Sequence, residues 1–196
     1  RDTFSSRGLG DVYKRQYQNY INMARNPSSD NAHSRIFDAL LENPQIRQYF
    51  INRYADLMNT IFLQENVEAR TLEMRNEIFP EMPRHILRWG SPSTLTHWLN
   101  ALQDMLDYND TRWGTATLHI NQSFGLGGSV YVGLETIPPG AGKIQISTIV
   151  PDSLPWTGVY YDGNPVRLTA IPNPGFEFSH WEDNVVLPGI DSNQSC

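Results

Sequence analysis

The sequence lacks several features that would assign it to a large class of proteins. Its single cysteine, Cys196, has no partner for an internal disulfide and cannot build a cysteine-rich zinc site. No run reaches the roughly 18 apolar residues that a membrane-spanning helix needs. The formal net charge of −6 gives no basic field for nucleic acid. A hydrophobic content of 39% is nevertheless enough for a packed core, so we expect a globular protein.

Motifs for catalysis and for cofactor binding are also missing. The five histidines include no pair at metal-ligand spacing. Phosphate-binding loops lead from a strand into a helix, whereas residues 125–128 lead from a helical pattern into a strand pattern. Residues 140–143 lack the upstream glycine of a phosphate loop, and Ile144 stands where serine or threonine is required. We therefore assign no catalytic, cofactor-binding or metal-binding residue.

The strongest helix is predicted from Asn43 to Thr60, where Asn43 is the cap and Pro44 lies in the first turn. Ile46, Phe50, Leu57 and Ile61 share one face, which we expect to be buried, with Tyr49 and Tyr54 beside it. Arg53 projects from the same face, and Asp56 lies three residues further on. Two interpretations stay open: a structural ion pair inside the core, or a pair that supports an active-site loop.

Further helices are predicted before and after this one. They begin at Ser34, at Val67 and after Ser91, and a fifth runs from Thr111 to Phe124, weakened by Gly114. Beyond Phe124 the apolar residues alternate as in strands, and Asp162-Gly163 signals a tight turn between two of them. The fold class is therefore α+β: an all-α part over residues 17–124, then a small all-β module over residues 127–182. We expect protease to cut the glycine-rich linker at 125–128.

The residues at both ends of the sequence lead us to expect that it is a fragment of a longer protein. Residues 1–16 resemble translated adapter sequence and are expected to be an artefact. Residues 183–196 are expected to be a truncated tail. We accordingly expect the natural N-terminus to lie elsewhere.

One resemblance covers about half the chain. It rests on Asn43-Pro44, on the run from Phe50 to Leu57 with Asn59-Thr60, on the run from Pro80 to His85, and on Arg88-Trp89. In order and spacing these segments resemble the C-terminal helical part of the spore coat protein H (CotH) kinase family, an atypical kinase-like fold.

The CotH resemblance implies a bacterial protein that is secreted or attached to the cell surface. In its complete form such a protein transfers phosphate from Mg-ATP to protein hydroxyls. The family's catalytic and metal-binding residues lie upstream of these helices, so the fragment is expected to be inactive and to need the missing N-terminal part of its own domain as partner. Arg53, Asp56, His85 and Trp89 are then expected to be structural supports.

A second resemblance covers the end of the chain. Residues 163–170, then Phe176, Phe178, His180 and Trp181, resemble the divergent internalin-type B repeat, a small extracellular β-module. The aromatic residues of this unit either fill its core or form a ligand surface for a protein or a cell-wall polysaccharide. The resulting alternative to a kinase is a non-catalytic surface scaffold or adhesin with a degenerate kinase fold.

Overall fold

The computed structural model describes residues 17–26 and 31–182. The expectations for residues 1–16, for the tail 183–196 and for Cys196 therefore lie outside the described residues. Within the described ranges the protein is helical up to Phe124 and β-structured afterwards, which confirms the α+β class.

Six α-helices and one 3₁₀ turn make up the described helical part. They are α1 (Tyr20–Ala24), α2 (Ala32–Leu41), α3 (Pro44–Met58), α4 (Gln64–Ile78), the 3₁₀ turn Phe79–Glu81, α5 (Met82–Trp89) and α6 (Leu95–Phe124). The predicted cap of α3 is confirmed, because the Asn43 side chain accepts hydrogen bonds from the backbone N–H groups of Gln45 and Ile46. The cap of α2 is Asn31 rather than Ser34.

Helix α6 is one continuous helix of 30 residues, although two helices were predicted for this region. A glycine inside a helix costs only about 1 kcal/mol relative to alanine. Packing of both halves outweighs that cost: the first half lies against α4, and Ala116, Ile120 and Phe124 of the second half are buried. The helix ends where Gly125 adopts a left-handed conformation with φ 63°.

Four strands form two separate antiparallel pairs. β1 (Ser129–Leu134) pairs with β3 (Trp156–Tyr161), and β2 (Gly142–Ile146) pairs with β4 (Leu168–Pro172). The predicted turn at Asp162-Gly163 is present, and the Asn164 N–H donates to the Tyr161 carbonyl. The strands before and after this turn belong to different sheets, however, so it does not close a hairpin.

Helices and strands share one hydrophobic core. Its buried members from the helices are Leu41, Ile51, Ala55, Ile120 and Phe124, and those from the strands are Leu134, Ile144, Ile146, Tyr160 and Tyr161. The boundary between residues 124 and 127 is thus a change of secondary structure inside a continuous core. The linker is also fixed, because Gly127 donates to the Asp162 carbonyl and Asp162 donates to the Gly128 carbonyl.

Two arginines hold the end of α6. The Arg47 guanidinium donates to the Phe124 carbonyl at 2.7 Å and lies over the Phe124 ring, and Arg25 lies over the same ring and donates to the Ser123 carbonyl. The last carbonyls of a helix lack partners within the helix and carry partial negative charge, so cations stabilise them. These contacts fasten α1 and α3 to the end of α6.

Candidate functional site

A row of polar side chains on α3 forms the centre of the molecule. Gln48, Asn52, Asp56 and Asn59 follow one another at spacings of four, four and three residues, which places them on one face of the helix. The last three are buried. We call these four residues the polar stripe. All of them hydrogen-bond to residues of the β-part, between 91 and 117 positions further along the chain.

Asp56 is completely buried and accepts four hydrogen bonds. Its Oδ2 accepts from the Ser147 hydroxyl at 2.8 Å, the Thr148 N–H at 3.0 Å and the Thr148 hydroxyl at 2.7 Å. Its Oδ1 accepts from the Tyr160 hydroxyl at 2.7 Å. A carboxylate has about four lone-pair sites, so the number of donors matches its capacity, with three of them at Oδ2 and one at Oδ1. Asp56 with Ser147, Thr148 and Tyr160 is called the Asp56 cradle below.

The cradle holds the end of β2 in an unusual backbone conformation. Ser147 has a φ of 52°, in the left-handed region that non-glycine residues rarely occupy. Its hydroxyl donates to Asp56, and its N–H donates to the Arg167 carbonyl at 2.8 Å. These two hydrogen bonds offset the backbone strain of the turn.

Tyr160 contributes the phenol of the cradle and is itself almost completely buried. Burial raises the pKa of this phenol well above its ordinary value, and the hydrogen bond to Asp56 and the negative charge of Asp56 raise the pKa further. Tyr160 therefore remains a neutral donor towards a charged acceptor, the arrangement in which a hydrogen bond is strongest.

Asn59 pairs with strand β3 as a neighbouring strand would. Its Oδ1 accepts from the Val159 N–H at 2.8 Å, and its Nδ2 donates to the Val159 carbonyl at 2.7 Å. Both backbone groups are buried, so the amide satisfies a donor and an acceptor that otherwise lack partners. Strand β3 is thereby fixed to the end of α3.

Asn52 and Gln48 hold the segment between β3 and β4. The Asn52 Nδ2 and the Gln48 Nε2 both donate to the Pro165 carbonyl at 2.8 Å. The Asn52 Oδ1 accepts from the Asn164 side chain at 2.6 Å. The polar stripe thus contacts β3, the end of β2 and the connection to β4.

The predicted ion pair between Arg53 and Asp56 is wrong, since the structure shows neither a salt bridge nor a hydrogen bond between these two described residues. Arg53 is half-buried, and its guanidinium donates to the Thr148 hydroxyl at 2.8 Å. That hydroxyl in turn donates to Asp56. Arg53 therefore reaches the cradle only through Thr148, because hydroxyls and amides satisfy the aspartate.

The predicted buried face of α3 is wrong in part. Phe50 and Tyr54 pack against the core, but Ile46, Tyr49 and Ile61 are exposed. The most deeply buried residues of α3 lie beside the polar stripe, because the β-part satisfies the asparagines and the aspartate. The signal in the sequence was the stripe itself, since asparagine and aspartate are poor helix formers that rarely recur at one helical spacing without partners.

His85 and Trp89 lie one turn apart on α5, a helix that the sequence analysis did not predict. The His85 ring makes a hydrogen bond with the Ser91 carbonyl at 3.0 Å. Trp89 is 65% exposed, and the Arg88 guanidinium lies over its ring. The contacts of both side chains are local to α5 and its C-terminal end, and neither side chain reaches the cradle. Whether Arg53, Asp56, His85 and Trp89 support a functional site stays a prediction.

The described residues show how the acidic and histidine side chains and the glycine-rich segments are arranged. No group of three or more histidine, cysteine, aspartate or glutamate side chains among residues 17–26 and 31–182 could hold a metal ion. Gly125 ends α6, and Gly140 lies in the turn before β2, where the exposed Lys143 pairs with Ile171. The two glycine-rich segments are therefore a helix end and a turn.

Two further features of the described residues concern membrane-spanning helices and the hydrogen bonding of Asp56. No helix within the described part of the chain has the length and the hydropathy to cross a bilayer. Both oxygens of Asp56 accept hydrogen bonds from within the protein, three at Oδ2 and one at Oδ1. These hydrogen bonds join α3 to the β-part.

Comparison with known proteins gives one family. The CotH kinase protein family matches residues 8–115, more than half of the chain. The match begins inside the stretch 1–16 that was expected to be foreign, so that expectation stays a prediction. Searches of curated proteins and of solved structures found no match. The match contains α3, which carries the polar stripe, and the chain belongs to the CotH kinase protein family.

Proposed function

We propose that this chain provides the structural support of a CotH-family phosphotransferase. In the complete protein the terminal phosphoryl group of ATP would pass to a protein hydroxyl, which forms a new oxygen–phosphorus bond and releases ADP. The chain itself contributes no catalytic side chain. Its role is to hold the helical part of the kinase domain rigid through the hydrogen bonds between α3 and the β-part.

The hydrogen bonds that Asp56 accepts within the protein carry this proposal. Among the described residues it is the one acidic side chain that is buried, and it lies within the segment that matches the family. A general base or a metal ligand needs at least one oxygen directed towards substrate or metal. Both oxygens of Asp56 instead accept hydrogen bonds from the turn after β2 and from β3.

Exposed apolar side chains support a further part of the proposal, that α4 and α5 pack against the rest of the kinase domain. Leu87 on α5 is 90% exposed. The other exposed apolar side chains of α4, α5 and the 3₁₀ turn between them are Met74, Ile78, Phe79 and Trp89. All five lie in the family-matched segment. An apolar surface of this kind is typical of a buried contact.

The β-part is proposed to be a spacer or adhesive module of the internalin B-repeat type on a secreted or surface-attached protein. This proposal rests on the residues from Gly163 to Trp181 that resemble the repeat. The alternative function, a surface scaffold without phosphotransfer, shares this module and differs only in the activity of the complete protein.

Mg-ATP binding and phosphoryl transfer test the proposal. We expect the chain described here to show no thermal shift with Mg-ATP, whereas the complete protein binds it and labels a protein substrate from γ-labelled ATP. Binding or transfer by the present chain alone would contradict the support role. A complete protein that binds and transfers nothing would leave the scaffold function.

The isosteric Asp56→Asn variant of the complete protein separates support from catalysis. A supporting Asp56 predicts a lower melting temperature with nearly unchanged kcat per folded molecule below that temperature. A catalytic Asp56 predicts a loss of about 100-fold or more in kcat at the same temperature, because a positioned base contributes that much.

A further inference from the structure

A groove of about 340 Å³ lies at one end of the β2–β4 sheet. Its walls come from the segment after β1, from both strands and from residues 176–182. Its apolar lining includes Ile171, Phe176, Phe178 and Trp181. We call this site the aromatic groove. Its volume is in the range of ligand sites in proteins, roughly 300–1,000 Å³.

Backbone hydrogen bonds fix the shape of the aromatic groove. The Asn173 N–H donates to the Ala141 carbonyl, and the Asn173 side chain donates to the Gly140 carbonyl, both at 2.9 Å. The Phe176 N–H donates back to the Asn173 carbonyl at 3.0 Å and closes a turn. The strands approach closely here, since a Cβ on Gly142 would lie 2.6 Å from the Ile171 carbonyl oxygen. The shape of the aromatic groove is therefore fixed by hydrogen bonds and by the close approach of β2 and β4.

The aromatic rings present open faces. The Phe178 and Trp181 rings lie 5.1 Å apart between centroids, with their planes at 53°. Phe178 is 48% exposed and Trp181 is 42% exposed. Two tilted rings of this kind form a corner rather than a flat platform. Such a corner suits a compact group that contacts both rings more than it suits the flat face of a sugar.

The charge of the aromatic groove is negative. Glu135, Glu177 and Glu182 line it, against the single lysine Lys143. Glu182 forms a hydrogen bond with the ring of His180. Glu135 and Glu177 are exposed and take part in none of the salt bridges that the structure describes. Carboxylates beside open ring faces attract a cation through both its charge and the ring quadrupole.

We propose that the aromatic groove binds a cationic peptide segment. A lysine or arginine side chain of the segment would lie against Phe178 and Trp181, with Glu135 and Glu177 as counter-charges. The apolar neighbours of that residue would contact Ile171 and Phe176. This interaction is independent of the proposed phosphotransfer and can hold or fail without it.

The test uses a ten-residue peptide of alternating lysine and valine with blocked ends, and a second peptide with glutamate in place of lysine. Binding is followed by the two-dimensional ¹H–¹⁵N NMR spectrum of the protein. We expect saturable shifts of the Trp181 indole N–H and of residues 176–182 with the lysine peptide. The absence of such shifts, or equal shifts with the glutamate peptide, would overturn the proposal.

Matched variants locate the site. We expect Trp181→Ala to weaken binding about 10-fold and Glu135→Gln about 3-fold, in line with cation–π and exposed charge contributions. Trp89→Ala and Glu68→Gln, on exposed helical surface, should change the dissociation constant less than 2-fold. Glu135 lies on an exposed segment after β1, so its variant keeps the test valid if Trp181→Ala fails to fold.

Two results would assign the groove to something else. Equal weakening by Glu68→Gln and Glu135→Gln would show general attraction of a cationic peptide to a protein of net charge −6. Tighter binding of chitohexaose than of the lysine peptide, with shifts at Trp181, would show a saccharide site. Either result contradicts a site for cationic peptides.

Discussion

Asp56 shows how a charged side chain can be stable in a protein core without an ion pair. Moving a carboxylate out of water is costly unless its lone pairs are satisfied. Two hydroxyls, one phenol and one backbone N–H satisfy them here. Because these donors come from the turn after β2 and from β3, the same hydrogen bonds that satisfy the charge also fix both segments to α3.

Replacement of Asp56 by alanine is therefore expected to be severe. Asp56→Ala leaves four donors without their acceptor, so the free energy of unfolding should fall by at least about 3 kcal/mol. Urea denaturation measures this change.

Arg53→Ala is the matched control for Asp56→Ala. Arg53 lies one turn away and makes a single described hydrogen bond to an exposed threonine, so its loss should cost about 1 kcal/mol or less. A larger loss for Arg53→Ala than for Asp56→Ala would contradict the assignment of Asp56 as the centre of the joint.

His119 gives a prediction for pH. It is buried, its Nδ1 has no hydrogen-bond partner, and burial together with the Arg112 charge lowers its pKa from the ordinary 6.5. The unfolded chain then binds more protons than the folded chain just below pH 6.5, so stability falls as the pH decreases through that window. Melting temperatures between pH 7.5 and 5 should show this decline.

His119→Asn removes the titrating group while keeping a polar side chain of similar size. It should flatten the pH dependence between pH 7.5 and 5, whether or not the variant is less stable overall. His33→Asn is the control, because His33 is exposed on α2. A decline that is unchanged by His119→Asn would assign the pH dependence to other groups.

At the scale of elements, α3 hydrogen-bonds to the edge of β3 at a position where another strand would otherwise pair. Strand β3 is buried along four consecutive residues, so both of its faces are covered. Its hydrogen bonds run to β1 on one edge and to the Asn59 amide on the other. A helix thus takes the place of a missing strand at one position of the sheet edge.

Asn59→Ala tests this role. It leaves the Val159 N–H and carbonyl buried without partners, which should cost about 2–4 kcal/mol of unfolding free energy. Amide hydrogen exchange of Val159 should accelerate in the variant more than exchange of Val132, which opposes Gly158 on β1 and whose N–H faces β3. Unchanged protection at Val159 would show that the Asn59 contact is dispensable.

The individual elements could be predicted from the sequence, but their pairing could not. Alternation located the strands around Val130, Ile144 and Ala170, since one face of each is apolar. The pairing of β1 with β3 depends on contacts between distant residues that no local pattern encodes. Gly114 led to the wrong prediction of two helices in place of α6, because the free-energy cost of one glycine is small compared with the packing of a long helix.

For the whole molecule, the joint between α3 and the strands makes the helical and β parts a single unit. The sequence predicted two parts because its periodicity changes at Phe124. Periodicity reports which face of an element is buried but not what buries it. The candidate site was partly found, since Asp56 and Arg53 were named, but the partners of Asp56 lie about 90–105 residues away.

Limited proteolysis distinguishes these two descriptions. Residues 125–128 adjoin the shared core and are held by backbone hydrogen bonds to Asp162. We therefore predict that this linker resists a low dose of a broad-specificity protease such as proteinase K. Early release of a helical and a β fragment would instead support two separable domains. Asp56→Ala should increase cleavage at this linker, because it loosens the strands.

The central claim is that α3 and β3 open together because the polar stripe joins them. Hydrogen exchange under native conditions, at several low urea concentrations, measures the opening free energy of each segment. We predict equal values for the slowest amides of α3 and β3, with both values lowered by Asp56→Ala. A β3 that opens at a lower free energy while α3 stays protected would contradict the claim.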